Sequence, residues 1–288
     1  MRWQVETPCE LLTFLIEKMP QQSGTSIKNQ LKHGCIRVND AVVTKHNYGL
    51  NAGDCVCVVS SRESKYGLNH PKLRLLFEDD FIVVVDKACG LHSVDTTGKG
   101  VENASGLLEA YIRRRSPQKR IYVVHRLDRD TSGVMIFAKC REAQNRLVAD
   151  WNERVLERRY IAVAEGVFEP KSGTIDSYLY EDAHKVVHST NDPKRGLRAI
   201  THYRVIDENG SMSLLALDLE TGRTNQIRVH LQSIGHPVVG DLKYGATNDC
   251  FGRLALHAET ICFRHPITQK VVKFESAVPK EFREIIGD

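Results

Sequence analysis

The sequence predicts a two-domain protein of mixed α and β structure. Three observations carry this. Residues 1 to 61 alternate helical spacing with short strands and then give way to a polar stretch, Arg62 to Arg74, with no apolar periodicity. Beyond it, short β-branched apolar runs such as Phe81–Val85, Ile121–Val124 and Val134–Ala138 alternate with amphipathic helical segments. Finally, 288 residues suffice for two hydrophobic cores.

The first unit opens with Leu11, Leu12, Leu15, Ile16 and Met19 at helical spacing, closed by Pro20. A second helix is expected from about Thr25 to His33, with Ile27 and Leu31 four apart and Gly34 as its C-cap. Ile36–Val38, the turn Asn39-Asp40 and Ala41–Val43 read as a hairpin. Asn51-Ala52-Gly53-Asp54 is a turn before the strand Cys55–Val59.

In the second unit, Leu75–Asp80 leads into the strand Phe81–Val85, then Asp86-Lys87 and Gly90-Leu91-His92-Ser93. Leu107, Leu108, Tyr111 and Ile112 mark a helix ending in Arg113-Arg114-Arg115, where cations suit the macrodipole. With Lys119 and Arg120 they also form a cationic group that could hold phosphate. Ala143, Leu147 and Trp151 mark another helix, and Arg158–Ala164 a strand. Residues 176 to 198 are polar, contain Pro193 and Gly196, and are expected to form a long loop. After the strand Ser213–Leu219, Ile227, Leu231 and Ile234 set a helix, with Thr224 as its expected N-cap and Gly235 at its end.

The totals exclude several classes. A net charge of +4 permits a polyanionic partner without demanding one. No apolar run reaches membrane-spanning length, and Glu6 interrupts any leader pattern, so a cytoplasmic protein without membrane contact is expected. None of the eight cysteines is spaced C-x-x-C, so they read as buried free thiols, and no metal is expected.

The chemistry concentrates between two strands. His125 to Gly133 packs His125, Arg126, Asp128, Arg129, Asp130, Thr131 and Ser132 into nine residues. Taken alone, this fits a solvated hairpin tip as well as a functional loop. However, His125-Arg126-Leu127-Asp128 followed after two residues by Thr131-Ser132-Gly133 resembles the signature of the RluA-type pseudouridine synthases. A second stretch, Gly222-Arg223-Thr224-Asn225-Gln226-Ile227-Arg228-Val229-His230 with Gly235-His236-Pro237 and Gly240-Asp241, resembles the same family, departing at Asn225, where histidine is usual. Leu254–Ala258 and Arg158-Arg159-Tyr160 resemble it further, with Arg158 in place of lysine; Lys87-Ala88 departs from a usual Lys-Pro. By spacing alone, Arg228 is either a snorkelling surface residue or the partner of a buried carboxylate.

The resemblance implies an α+β fold: a mixed, mainly antiparallel sheet with flanking helices and a central cleft over residues 75–288. It implies isomerisation of uridine to pseudouridine in structured RNA, without a cofactor. Asp128 would be catalytic, Arg228 its partner, and Tyr160 would lie over the target base. Arg126 would fill the space the base leaves, and His125, Thr131, Arg223, Gln226 and Leu256 would contribute to RNA binding. Thr131 and Ser132 are expected to shape the loop by local hydrogen bonds. Ile27–Gly34, Ile36–Asn39 and Gly53-Asp54 resemble an S-four-type RNA-binding domain over residues 1–61, with Lys28, Lys32, His33 and Arg37 facing RNA and residues 62–74 as linker. Large-subunit ribosomal RNA is the first expectation for the substrate and transfer RNA the second, with the protein acting as a monomer. Two other readings remain: a non-catalytic RNA-binding assembly factor, and a glycosidase, which would need a second carboxylate such as Asp130.

Overall fold

The structure is a computed structural model that describes residues 1–284 apart from 33, 40, 60–67, 69, 97 and 115. His33, Asp40, Arg115 and most of the expected linker lie outside the described residues. Packing divides the chain into two compact units, Met1–Arg74 with Leu107–Lys119, and Leu75–Gly106 with Arg120–Asp288.

In the first unit, β1 (Arg2–Gln4), β2 (Cys9–Glu10), α1 (Leu11–Lys18), α2 (Gly24–Lys32), β3 (Ile36–Val38), β4 (Ala41–Val42), β5 (Gly49–Leu50) and β6 (Cys55–Val58) follow in order. The sheet order is β1-β6-β3-β4, and β2 pairs with β5. Leu11, Leu15, Ile27, Leu31, Ile36 and Val56 belong to its core, with Met19, so most of the helical spacing read from sequence faces inward, while Ile16 is exposed. Gly34 follows α2 at φ +68, a left-handed position that glycine takes without steric cost. Three strands, β1, β2 and β5, were not anticipated; they are two or three residues long, too short to show a period.

The second unit is built on one eleven-stranded sheet. Its strands are β7 (Leu73–Glu78), β8 (Ile82–Lys87), β9 (Tyr122–Val123), β10 (Ser132–Ala138), β11 (Val155–Glu165), β12 (Ser172–Glu181), β13 (Val187–Thr190), β14 (Leu197–Glu208), β15 (Met212–Leu219), β16 (Leu256–Arg264) and β17 (Val271–Glu275). The spatial order is β13-β12-β14-β15-β11-β16-β10-β8-β7, with β17 on β16 and β9 on β10. Antiparallel pairings dominate, while β10 and β16 run parallel through Ser132 with His257 and Gly133 with Ala258. Of the remaining helices, α3 (Ala104–Arg113) belongs mostly to the first unit, and α4 (Arg141–Ala149), α5 (Trp151–Arg154), α6 (Gln226–Ser233) and α7 (Lys280–Glu284) belong to the second. Leu147 of α4 packs with Ile82, Val134 and Phe263, and Ile227 and Leu231 of α6 pack with Ile161, Leu215 and Leu217. None of these helices is long and apolar enough to cross a membrane, among the described residues.

Three expectations are corrected here. Residues 176–198 do not form a long loop: they hold most of β12, all of β13 and the start of β14. The inner face of β12 carries Ile175, Ser177 and Leu179, all buried, and the serine interrupts the apolar period. The cap of α6 is Asn225 rather than Thr224, at φ +53, a left-handed conformation in which asparagine is enriched. The cysteines are all free, but only Cys35 is fully buried and Cys250 is exposed.

Candidate active site

The loop between β9 and β10 is held at both ends and in the middle. β9 pairs with the far end of β10, Phe137 with Val123 and Ala138 with Tyr122. His125 Nε2 accepts a hydrogen bond from Ile136 N at 2.9 Å, tying the loop's start to the same strand. Burial pushes the His125 pKa down to about 4, so the ring is neutral. Ser93 Oγ donates to Leu127 O at 2.5 Å and accepts from Leu127 N at 3.1 Å, clamping both backbone groups of that residue. On the other side, Lys87 is fully buried and its ammonium donates to the carbonyls of Ala88, Leu91 and Arg129 at 2.9–3.2 Å. Burial lowers its pKa to about 8. Asp128 thus sits between two residues whose backbones are fixed by buried side chains. Neither Ser93 nor Lys87 stood out as a support in the sequence, because their contacts span some forty positions along the chain.

Arg228 reaches the same point from α6. Its Nε and Nη2 form a bidentate pair with Asp241, 2.7 Å each, and its Nη1 reaches Asp128 Oδ2 at 3.3 Å and Asn225 Oδ1 at 3.0 Å. The Tyr244 ring lies 4.9 Å from the guanidinium carbon, and Tyr244 Oη accepts from Asn225 Nδ2. Burial alone would lower the Arg228 pKa, but the bonds to Asp241 and the charges of Asp241 and Asp128 outweigh it and raise it. The buried-carboxylate reading of Arg228 is therefore the correct one. Its bidentate partner is Asp241, 2 % exposed, and Asp128 receives the remaining nitrogen. Asn225, the departure in the motif, fits twice: it takes the left-handed cap position and braces Arg228.

Asp128, Arg228 and Asn225 line one open cleft of about 470 Å³. Asp128 is the only carboxylate among its lining residues. Tyr160, Ile227 and Leu256 give it apolar walls. Tyr160 stands on β11 at a register shift against β16, a bulge of the kind that re-aims a side chain. Burial pushes its phenol up to about 12, so it stays neutral. This neutral ring lines the cleft together with the carboxylate of Asp128 and the guanidinium of Arg228.

A family model for RNA pseudouridylate synthase matches residues 81–233. An uncharacterized RNA pseudouridine synthase of Bacillus subtilis, YjbO, is 35% identical over 257 residues, covering 88% of this chain and 90% of its own. The ribosomal large subunit pseudouridine synthase D of Haemophilus influenzae is 33% identical, covering 95% and 89%. Among solved structures, human RNA pseudouridylate synthase domain containing 1 is 26% identical with a TM-score of 0.57, over 71% of this chain and 83% of that one. The chain belongs to the RluA-type RNA pseudouridine synthases. Its fold and its class of enzyme activity follow from that membership.

Within this synthase the remaining expected residues fall into distinct places. His125, Arg126, Thr131, Arg223 and Gln226 line the cleft with Leu256. Arg126 and Arg223 are exposed, and Arg223 Nε donates to Arg198 O. Gln226 is 3 % exposed and its amide is used internally: the oxygen accepts from Arg223 N and Thr221 Oγ1, the nitrogen donates to Ile200 O and Thr201 Oγ1. Its assignment as an RNA contact gives way to one as a brace of the 221–223 turn. Ser132 is corrected too. It lies in β10, where its hydroxyl meets His257 Nδ1 at 2.9 Å and accepts from Arg253 at 2.7 Å, both long-range bonds. Thr131 N donates to Asp128 O at 3.2 Å, a local bond from backbone rather than side chain. Asp130 pairs with exposed Arg129 and does not line the cleft, so the second carboxylate a glycosidase needs is missing from the cleft's lining residues. Lys28 and Lys32 are exposed one turn apart on α2, and Arg37 is half-buried on β3. Arg158, also in the cleft, donates to the carbonyls of Leu219 and Glu220.

Proposed function

We propose that this synthase isomerises uridines of large-subunit ribosomal RNA, with Asp128 as its catalytic carboxylate. The observation that carries the reading is the lone carboxylate of the cleft, fixed by its neighbours' backbones and facing a guanidinium 3.3 Å away. In the reaction the glycosidic carbon–nitrogen bond breaks, the uracil turns, and carbon 5 bonds to the ribose. Asp128 acts at the sugar or base as nucleophile or base, and Arg228 supplies its counter-charge in a site that sheds water. A uridine in structured RNA must first leave its stack, at a cost of a few kcal/mol. Tyr160 stacks on the extruded ring, and exposed Arg126 occupies the space it left.

Residues 1–61 serve as an S-four-type RNA-binding domain, with Lys28, Lys32 and Arg37 on phosphate, residues 62–74 as linker and residues 75–288 as the catalytic domain. The names of the relatives that modify the ribosomal large subunit support ribosomal over transfer RNA. The enzyme works in the cytoplasm as a monomer.

The test is tritium release from RNA labelled at uridine carbon 5, with ribosomal and transfer RNA supplied separately. Release by the parent and none by Asp128→Asn, with RNA binding kept, is the expected result. Equal release by the variant would remove Asp128 from the chemistry. Binding without release from any RNA would favour the assembly-factor reading.

A further inference from the structure

One end of the cleft is made of groups that the chemistry above does not use. Val148 of α4 and Trp151 and Asn152 of α5 all line the cleft. Val148 is 52% exposed, and Trp151 is half-buried with part of its indole against the core around Leu147. The His125 ring stands beside the indole, centroids 5.1 Å apart and tilted by 36°. Because His125 Nε2 accepts from Ile136 N, the neutral ring carries its proton on Nδ1. That N–H has no hydrogen-bond partner among the described residues. Arg126, next in sequence, is exposed and lines the same cleft.

We propose that this end of the cleft is a nucleobase subsite, in which Trp151 stacks on a base flanking the target uridine and His125 Nδ1–H donates to that base's edge. The proposal rests on the reading of the Asp128 end as the uridine site. RNA continues on both sides of an extruded uridine, so its neighbours must pass over the rim of the same cleft. An aromatic face and an uncharged donor of fixed direction match a base and its edge. Burial keeps the histidine uncharged at neutral pH, so the contact is a hydrogen bond and not a charge. Stacking accepts any base, and the single donor adds a preference among bases through the acceptor each one presents.

Two tryptophans are present, Trp3 and Trp151, so Trp3→Phe leaves Trp151 as sole reporter. In Trp3→Phe/Asp128→Asn protein, titration with unmodified large-subunit ribosomal RNA should quench the indole emission. In the otherwise native enzyme, Trp151→Ala should raise KM by about 5- to 150-fold, the range that base–aromatic stacking of about 1–3 kcal/mol gives, with kcat nearly unchanged. Trp151→Phe should recover most of the loss. A substrate RNA made abasic beside the mapped uridine should impose a similar loss on the parent and little further loss on Trp151→Ala. An unquenched indole would overturn the subsite. So would a Trp151→Ala defect confined to kcat, or one of the same size on intact and abasic RNA. A parent enzyme without turnover on any RNA would remove the uridine reading, while quenching by RNA would still report on the subsite.

Discussion

Asp241→Asn should damage the enzyme although Asp241 does not line the cleft. Asp241 is 2 % exposed and makes both bonds of the bidentate pair at 2.7 Å. Asparagine keeps one acceptor and turns an amide N–H₂ toward the guanidinium, so one charge-assisted bond and one buried negative charge are lost. A hydrogen bond to a charged group is worth about 1.5–3 kcal/mol, and breaking a buried pair about 3–5 kcal/mol. A loss of about 3 kcal/mol is expected, which for a domain of this size lowers Tm by roughly 6–12 °C. Freed from Asp241, Arg228 no longer holds its place beside Asp128, and kcat should fall about 100-fold, equivalent to about 2.7 kcal/mol of transition-state stabilisation. Calorimetry and tritium release measure the two effects. The paired change Asp241→Leu with Arg228→Met separates them, because an apolar pair recovers stability without restoring the guanidinium. A single variant with parental Tm and turnover, or a double variant with normal turnover, would refute the reasoning.

Arg228→Lys should lose at least about 90% of turnover, because a point ammonium cannot span Asp241 bidentately and still reach Asp128; RNA binding, read by filter retention, should be little affected. Stability should depend on pH through His230, which is fully buried between Ser177 and Thr201 and whose pKa burial pushes down to about 4. From about pH 6.5 down to 4 the unfolded chain binds a proton there that the folded chain refuses. Through His230 stability is therefore full above about 6.5 and falls by about 3 kcal/mol toward pH 4, and His125, lowered to about 4 in the same way, adds a comparable fall; His230→Gln should remove about half of that limb in denaturant titrations at several pH values. Gly133→Ala should fail to give stable protein, since Gly133 has φ +116 and an added Cβ would meet Ala258 O at 2.1 Å. A cost above about 3 kcal/mol is expected, and a soluble variant with parental Tm would contradict it.

The parts of the site that were legible in sequence are those whose chemistry is local. His125–Gly133 stands out because charge is packed between two apolar strands, whereas Arg228 lies beside the apolar stripe of α6, where spacing alone leaves a snorkelling surface residue as open as a carboxylate's partner. The resemblance to a family then gave the two stretches a common purpose. What stayed hidden depends on distant contacts. Asp241 matters because Arg228, thirteen positions earlier, folds back to it. Ser93 and Lys87 matter because Leu127 and Arg129 come to lie beside them. The strands of 176–198 were hidden for a different reason. Their inner face is partly filled by hydroxyls that satisfy one another: Ser189 Oγ to Ser177 Oγ, Ser177 to His230, and His230 to Thr201. Such a chain removes the apolar alternation by which a strand is recognised, yet leaves no polar group unpaired. The cap of α6 falls one residue later than expected because Asn225 caps by its left-handed backbone, without a side-chain hydrogen bond, and not as Thr224 would by its hydroxyl.

The pairing of Asp128 with Arg228 joins residues 100 positions apart. Asp241 lies thirteen positions further on, and β10 meets β16 only after residue 256 is in place. A growing chain that has reached Asp128 has therefore made Ser93 and Lys87, which hold its neighbours, but neither Arg228 nor Asp241. Loops of this length close late, and sheets built from distant segments assemble slowly. Recovery of activity on refolding should thus trail the recovery of helix signal. On a ribosome the newly made chain thus lacks Arg228, Asp241 and the pairing of β10 with β16 until its synthesis is nearly done.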